Sequence, residues 1–166
     1  MAQQSKETEN QFLGKIQKHQ GIIQKISLIF SNGREDKEDL SQEIVLQLWK
    51  SYPSFNHESS FSTWMYRVAL NTAIGLTKNR KQFVEIEKHP IVVNETEHNL
   101  FLSEEVKILY KAISQLNKVE KAIVLLWLEE ASYQEIADIT GISVKNVSVK
   151  LVRIKARLAA IIKKLQ

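Results

Sequence analysis

The chain has 166 residues, with 23 Lys plus Arg against 19 Asp plus Glu and a formal net charge of +4; 43% of residues are hydrophobic and 25% charged. This is the balance of a soluble globular chain, and the absence of Cys excludes disulfides, thiolate metal sites and cysteine nucleophiles. Only 5 Gly and 2 Pro are present, which disfavours loop-rich all-β folds and favours long helices.

The N-terminal MAQQSKETENQ has no apolar signal core. No apolar run approaches the ~20 residues of a membrane-crossing helix, so a cytoplasmic chain without membrane insertion is expected. The four His, at 19, 57, 89 and 98, lack metal-site spacing, so neither a metal nor a cofactor is expected.

Apolar periodicity predicts a first helix over 10–31, carried by Phe12, Ile16, Ile23, Ile26, Ile29 and Phe30. Asn32-Gly33 is a turn signal. A second helix is predicted over 36–51, with Leu40, Ile44, Val45, Leu48 and Trp49 facing inward and Asp39, Gln42, Glu43 and Lys50 outward. Pro53 ends it. The polar loop 53–60 offers Ser59 or Ser60 as a cap for a third helix over about 61–80. Residues 83–104 lack strong periodicity and read as a linker between helical domains at 10–82 and 105–166. Helices are then predicted at 104–116, 118–129, 133–139 and 144–165. The fold class is all-α: two small helical domains joined by a flexible linker.

Charge is unevenly spread. Residues 86–104 carry 1 basic and 4 acidic side chains, whereas 139–166 hold seven Lys or Arg and no acid. Such a block is an electrostatic footprint for a polyanion, although cations at a helix C-terminus also suit the dipole. The segment SYQEIADITGISVKNVSVKL resolves the choice towards DNA. A helix-turn-helix needs a small residue where its helices cross, a residue tolerant of positive φ in the turn, and an apolar residue facing back. Ala137, Gly141 and Val147 supply them, and Ser143 caps the second helix. At ~100° per residue, Val147, Leu151, Ile154, Leu158, Ile161 and Leu165 form one face of that helix. Lys145, Asn146, Val149, Lys150, Arg153 and Arg157 form its neighbour, a basic surface suited to a DNA major groove. A coiled-coil seam is the rival for the apolar stripe, but roughly three heptads are too short for it.

In the N-terminal domain, Phe61 and Trp64 lie at i and i+3, near Phe55, and Arg67 and Asn71 continue the spacing. Aromatics beside Arg and Asn suit single-stranded nucleic acid, with faces for stacking, a cation for phosphate and an amide for base edges. Aromatics on an amphipathic helix are also ordinary core, and both readings stay open from the residues alone.

The stretch 39–71, DLSQEIVLQLWKSYPSFNHESSFSTWMYRVALN, resembles region 2 of bacterial RNA polymerase sigma factors. LNKVEKAIVLLWLEEASYQEIADITGIS with the helix that follows resembles region 4. Two such regions with a short linker and nothing else resemble the extracytoplasmic-function (ECF) group of alternative sigma factors. The resemblance implies a subunit that binds core RNA polymerase and directs promoter-specific initiation, and it implies roles by position. Asp39, Gln42 and Glu43 would dock on the β′ clamp helices. Phe55, Asn56, His57 and Ser60 belong to a loop that would capture a flipped base of the −10 element, and Phe61, Trp64, Arg67 and Asn71 to the helix that melts and recognises it. Ser143, Lys145, Asn146, Val149, Lys150 and Arg153 would read the −35 element as duplex. The partners implied are core polymerase, through the β′ clamp helices and the β flap, promoter DNA, and an anti-sigma factor. Asn117 stands where the family often has proline, and Ser148-Val149 replace a basic and a small polar residue.

No Gly-rich phosphate loop, nucleophile motif or metal spacing accompanies the carboxylates, so the chain is not expected to be an enzyme. The alternative is a helix-turn-helix regulator that binds duplex DNA without polymerase. The SSF-x-x-W constellation argues against it, because a duplex-only regulator has no use for a strand-capturing face.

Overall fold

A computed structural model of the chain describes residues 1–81 and 103–166, with the backbone alone for 76–81. The described residues form eight α-helices and a short 3-10 turn, without strands.

The N-terminal half holds α1 (Ala2–Lys18), α2 (Gln20–Phe30), α3 (Arg34–Ser51), the 3-10 turn Tyr52–Ser54 and α4 (Phe61–Lys81). Where the pattern predicted one helix over 10–31, there are two. His19 breaks the run at φ −111°, ψ 19°, and its ring nitrogen Nδ1 lies 2.9 Å from the Lys15 carbonyl oxygen at the end of α1. The break turns Phe12 and Ile16 of α1 and Ile23, Ile26, Ile29 and Phe30 of α2 onto one core. Apolar periodicity continues straight through a bend of one residue, so the pattern could not reveal it.

Gly33 makes the next turn at φ +107°, a backbone that side chains strain to adopt. The Asn32 N–H then donates to Asp36 Oδ2 at 2.8 Å, in the first turn of α3. From α3, Leu40, Ile44 and Leu48 are buried; from α4, Met65, Tyr66, Ala69, Leu70 and Ala73. Two alanines one turn apart leave room for α4 to lie close against α2 and α3, its main neighbours. The Ser41 hydroxyl donates to the buried Ser27 hydroxyl at 2.8 Å, pinning α3 to α2.

The C-terminal half holds α5 (Glu104–Ile113), α6 (Lys118–Leu128), α7 (Tyr133–Thr140) and α8 (Val144–Leu165). Each begins with a side-chain cap. Ser103 accepts from Val106 N–H and Ser143 from Asn146 N–H. Asn117 with Glu120 and Ser132 with Glu135 make reciprocal capping boxes. The Asn117 box explains the departure from proline, because Glu120 Oε2 accepts from the Asn117 backbone N–H at 3.1 Å, a donor that proline lacks. Between α7 and α8, Gly141 sits at φ +75°. Ala137 and Val147 are buried where the two helices meet, as the helix-turn-helix spacing requires.

The predicted linker at 83–104 lies outside the described residues, except for Ser103 and Glu104, which open α5. A flexible linker by itself would hold the two halves in no fixed arrangement. Instead, α4 packs against α6 and α7, and the apolar core is continuous between the halves. Lys25 of α2 forms an ion pair with Glu129 at the end of α6, and the Lys121 ammonium lies 5.5 Å from the centre of the Phe30 ring. Tyr66 is buried, with its hydroxyl near Glu129. Burial first, then the negative Glu129, push its phenol well above the ordinary tyrosine range, so it stays neutral. A linker's composition carries no information about whether the surfaces it joins are complementary.

Candidate nucleic-acid and polymerase interfaces

Three surfaces carry the predicted site residues. The first is the outer face of α8. Lys145, Asn146, Val149, Lys150 and Arg153 are all exposed, and Lys145, Lys150 and Arg153 have no ion pair among the described residues. Val149 is 43% exposed, an apolar spot among cations of the kind that meets a thymine methyl. The Ser143 hydroxyl is taken by the N-cap bond to Asn146 N–H at 3.2 Å, so Ser143 fixes the start of the helix. Arg157, on the same predicted face, is turned away: its Nη1 reaches Glu120 Oε2 at 3.1 Å, tying α8 to α6. The wheel placed Arg157 correctly by angle but could not foresee its partner 37 residues upstream.

The second surface is a cluster of rings at the start of α4. Tyr52, Phe55, Phe61 and Trp64 pack with centroids 5.1–6.5 Å apart. His57 lies 4.5 Å from Phe55 and His19 lies 5.3 Å from Phe61. All four aromatic residues are half-buried, packed on one another and still partly accessible to solvent. His57 holds φ +61°, uncommon outside glycine. Beside it, Asn56 Oδ1 accepts from Glu58 N–H at 3.2 Å, which shapes the loop into a tight turn. Ser60 Oγ accepts from Thr63 N–H at 3.2 Å, so Ser60 caps α4 and aims its first turn. Arg67 and Asn71 follow along α4, exposed and without a side-chain partner among the described residues.

The third surface is a groove of about 950 Å³ between α1, α2 and α3, lined by Phe12, Leu13, Ile16, Val45, Leu46 and Trp49, among others, with Gln42 on its wall. Asp39 and Gln42 are exposed and Glu43 half-buried; Glu43 Oε1 accepts from Gln47 Nε2 at 2.9 Å. Burial pulls the Lys37 ammonium on this wall below the ordinary lysine range, against the pull of Glu38. Leu13, Leu46 and Trp49 are 51%, 43% and 40% exposed. Trp49 was expected to face the core. It instead lies against Phe12 at 5.0 Å and leaves much of its surface open.

The description Sigma-70 region 2 matches residues 16–82, and Sigma-70, region 4 matches 107–158. The ECF RNA polymerase sigma-E factor of Haemophilus influenzae (strain ATCC 51907 / DSM 11121 / KW20 / Rd) is 30% identical, over 72% of this chain and 71% of its own. That of Escherichia coli (strain K12) is 31% identical, over 71% and 69%. The chain belongs to the ECF sigma factors. As a member of that family it is an alternative sigma factor, and it directs transcription initiation.

Among solved structures, the sigma factor RpoE in complex with the anti-sigma factor NepR from Bartonella quintana has the same fold. Its TM-score is 0.73 at 21% identity, covering 92% of this chain and 97% of that one. CnrH, in complex with the cytosolic domain of CnrY, gives 0.66 at 20%, covering 98% and 94%.

In this sigma factor the ring cluster and α4 lie within region 2, and the α8 face within region 4. Sequence reasoning missed the part of α1 in the region 2 surfaces. Leu13 stood outside the inward stripe, and an apolar residue off the stripe was the available signal. No group of three or more metal-ligating side chains occurs among the described residues, and none of their helices is long and apolar enough to cross a membrane.

Proposed function

We propose that this sigma factor divides its work among the three surfaces, using duplex reading at one and strand capture at another. Lys145, Asn146, Val149, Lys150 and Arg153 read the −35 element in the major groove, with Lys145 and Asn146 nearest the base edges and Arg153 on phosphate. The ring cluster and its loop, Phe55, Asn56 and His57 with Phe61 and Trp64, take an unstacked base of the −10 element. Arg67 and Asn71 track the strand beyond it. Ser60 and Ser143 act through their caps, by setting helix starts whose free N–H groups face phosphate. The groove with Gln42 on its wall and Leu13, Leu46 and Trp49 in its lining receives the β′ clamp helices of core polymerase, with Asp39 and Glu43 beside Gln42 on α3.

The observation that carries this division is the contrast in one chain between a basic helix face that is exposed and without an ion pair at Lys145, Lys150 and Arg153 among the described residues, and a half-buried cluster of rings. A duplex-only regulator, the alternative considered from the residues, would need the first and not the second. The sigma factor works by binding, without a reaction of its own, in the cytoplasm, and an anti-sigma factor covers its polymerase-facing surface. That last assignment rests on the complexes in which its structural neighbours were solved.

The test is competition for core polymerase. Replacing the exposed Gln42 by Ala changes fold stability by no more than about 0.5 kcal/mol; the half-buried Glu43, which accepts from Gln47, adds the loss of one hydrogen bond, about 1 kcal/mol, so helicity and melting are checked alongside. The double replacement weakens core binding by about fivefold or more, the loss expected when interface side chains worth over 1 kcal/mol are truncated. Undiminished competition by the double variant overturns the docking assignment.

A further inference from the structure

The ring cluster holds a cation that the division of labour above does not use. Lys15, on α1, is half-buried. Its ammonium lies 5.6 Å from the centre of the Tyr52 ring, 5.7 Å from Phe55 and 5.3 Å from Phe61. One turn on, His19 packs against Phe61 with its Nδ1 2.9 Å from the Lys15 carbonyl oxygen, so α1 closes one side of the cluster. Lys15 has no carboxylate partner among the described residues. Rings attract a cation through their negative faces, but they do not neutralise it. A charge is thus kept partly out of water, without a counter-ion among the described residues, beside an aromatic stack.

A nucleotide brings both things this arrangement lacks: a flat base that competes for the ring faces and a phosphate that matches the displaced charge. We propose that Lys15 is a strand-holding residue of the −10 surface, whose ammonium pairs with a phosphate next to the base that enters the ring cluster. In the free protein it occupies the ring faces; on strand capture it exchanges the rings for the phosphate. This rests on the assignment of the cluster to the −10 strand, and it adds a residue from α1 to a site otherwise built from α4 and the loop before it.

The experiment uses the sigma factor assembled with core polymerase. The DNA comes from a promoter that the wild-type holoenzyme transcribes, with its −10 segment pre-opened. Lys15→Gln keeps length and polarity but removes the charge. Loss of one single-strand phosphate contact lowers the salt slope of binding by about 0.7, which is about fourfold in affinity at 0.15 M salt relative to 1 M. Lys15→Arg retains the wild-type slope.

Replacing single phosphates by uncharged methylphosphonates separates a lost contact from a loosened ring cluster. One position lowers binding by the wild type and has no effect on Lys15→Gln. The proposal is overturned if Lys15→Gln keeps the wild-type slope, or if no methylphosphonate position distinguishes the two proteins. Phe55→Ala and Asn56→Ala run alongside. If they weaken binding while Lys15→Gln does not, the Lys15 assignment alone is wrong. If none of the three has an effect, the −10 assignment falls with it.

Discussion

The two surfaces proposed to meet DNA are prepared in opposite ways. The α8 face is finished before DNA arrives. Its Lys145, Lys150 and Arg153 are exposed and have no ion pair among the described residues, its helix is capped by Ser143, and the turn before it is set by Gly141 at φ +75°. The ring cluster of α4 is instead occupied by itself: its rings stack on one another and on His19 and His57, with the Lys15 ammonium over three of them. A duplex offers its groove edges and phosphates without rearrangement, so a rigid charged face suffices. A base must leave the stack before a ring can meet it, at a cost of a few kcal/mol. Stacking on a ring returns ~1–3 kcal/mol, too little to open a duplex unaided and enough to trap a base once polymerase has helped to free it.

The largest expected effect is on the finished face. Replacing Lys150 and Arg153 together by Ala removes two phosphate contacts. It lowers the salt slope of holoenzyme binding to a −35 duplex fragment by about two and the affinity by about thirtyfold at 0.15 M salt. Binding to a pre-opened −10 fragment is unchanged. Titration across salt concentrations with both fragments checks this; an equal loss on the two would erase the distinction between the surfaces.

Phe55→Ala gives the reciprocal result at smaller size. One stacking partner is lost, so affinity for the pre-opened −10 fragment falls by ~1–3 kcal/mol, while the −35 duplex is bound as before. The smallest effect belongs to Arg157. Because it pairs with Glu120 and is itself about half exposed, Arg157→Ala lowers thermal stability by no more than ~1 kcal/mol and leaves the salt slope on the −35 duplex unaltered. A reduced slope would return Arg157 to the reading face, where its wheel angle had put it.

Why the Glu120 partner of Arg157 was not legible, while the two faces of α8 were, is a matter of range. Helix identity, caps, the Gly141 turn and the inward stripe of Val147, Leu151, Ile154 and Leu158 are local, written in spacing and in residues with narrow backbone preferences. The ring cluster was legible for the same reason, since Phe55, Phe61 and Trp64 lie within ten positions. What escaped depends on contacts between distant segments: the Glu120 partner of Arg157, Lys15 and His19 of α1 lying over the rings, and the packing of α4 on α6 and α7. Trp49 failed differently. An amphipathic pattern assumes one buried face, whereas α3 has a second, half-open apolar face on the groove it shares with α1 and α2.

The most direct test crosses the two surfaces in one measurement: holoenzymes carrying Phe55→Ala or Lys150→Ala/Arg153→Ala, each titrated against the −35 duplex fragment and the pre-opened −10 fragment. The account predicts a double dissociation, in which each variant loses affinity for one fragment and keeps wild-type affinity for the other. Loss by Phe55→Ala on the −35 duplex, or wild-type binding of the opened −10 fragment by that variant, would contradict it and leave the rings as core packing alone.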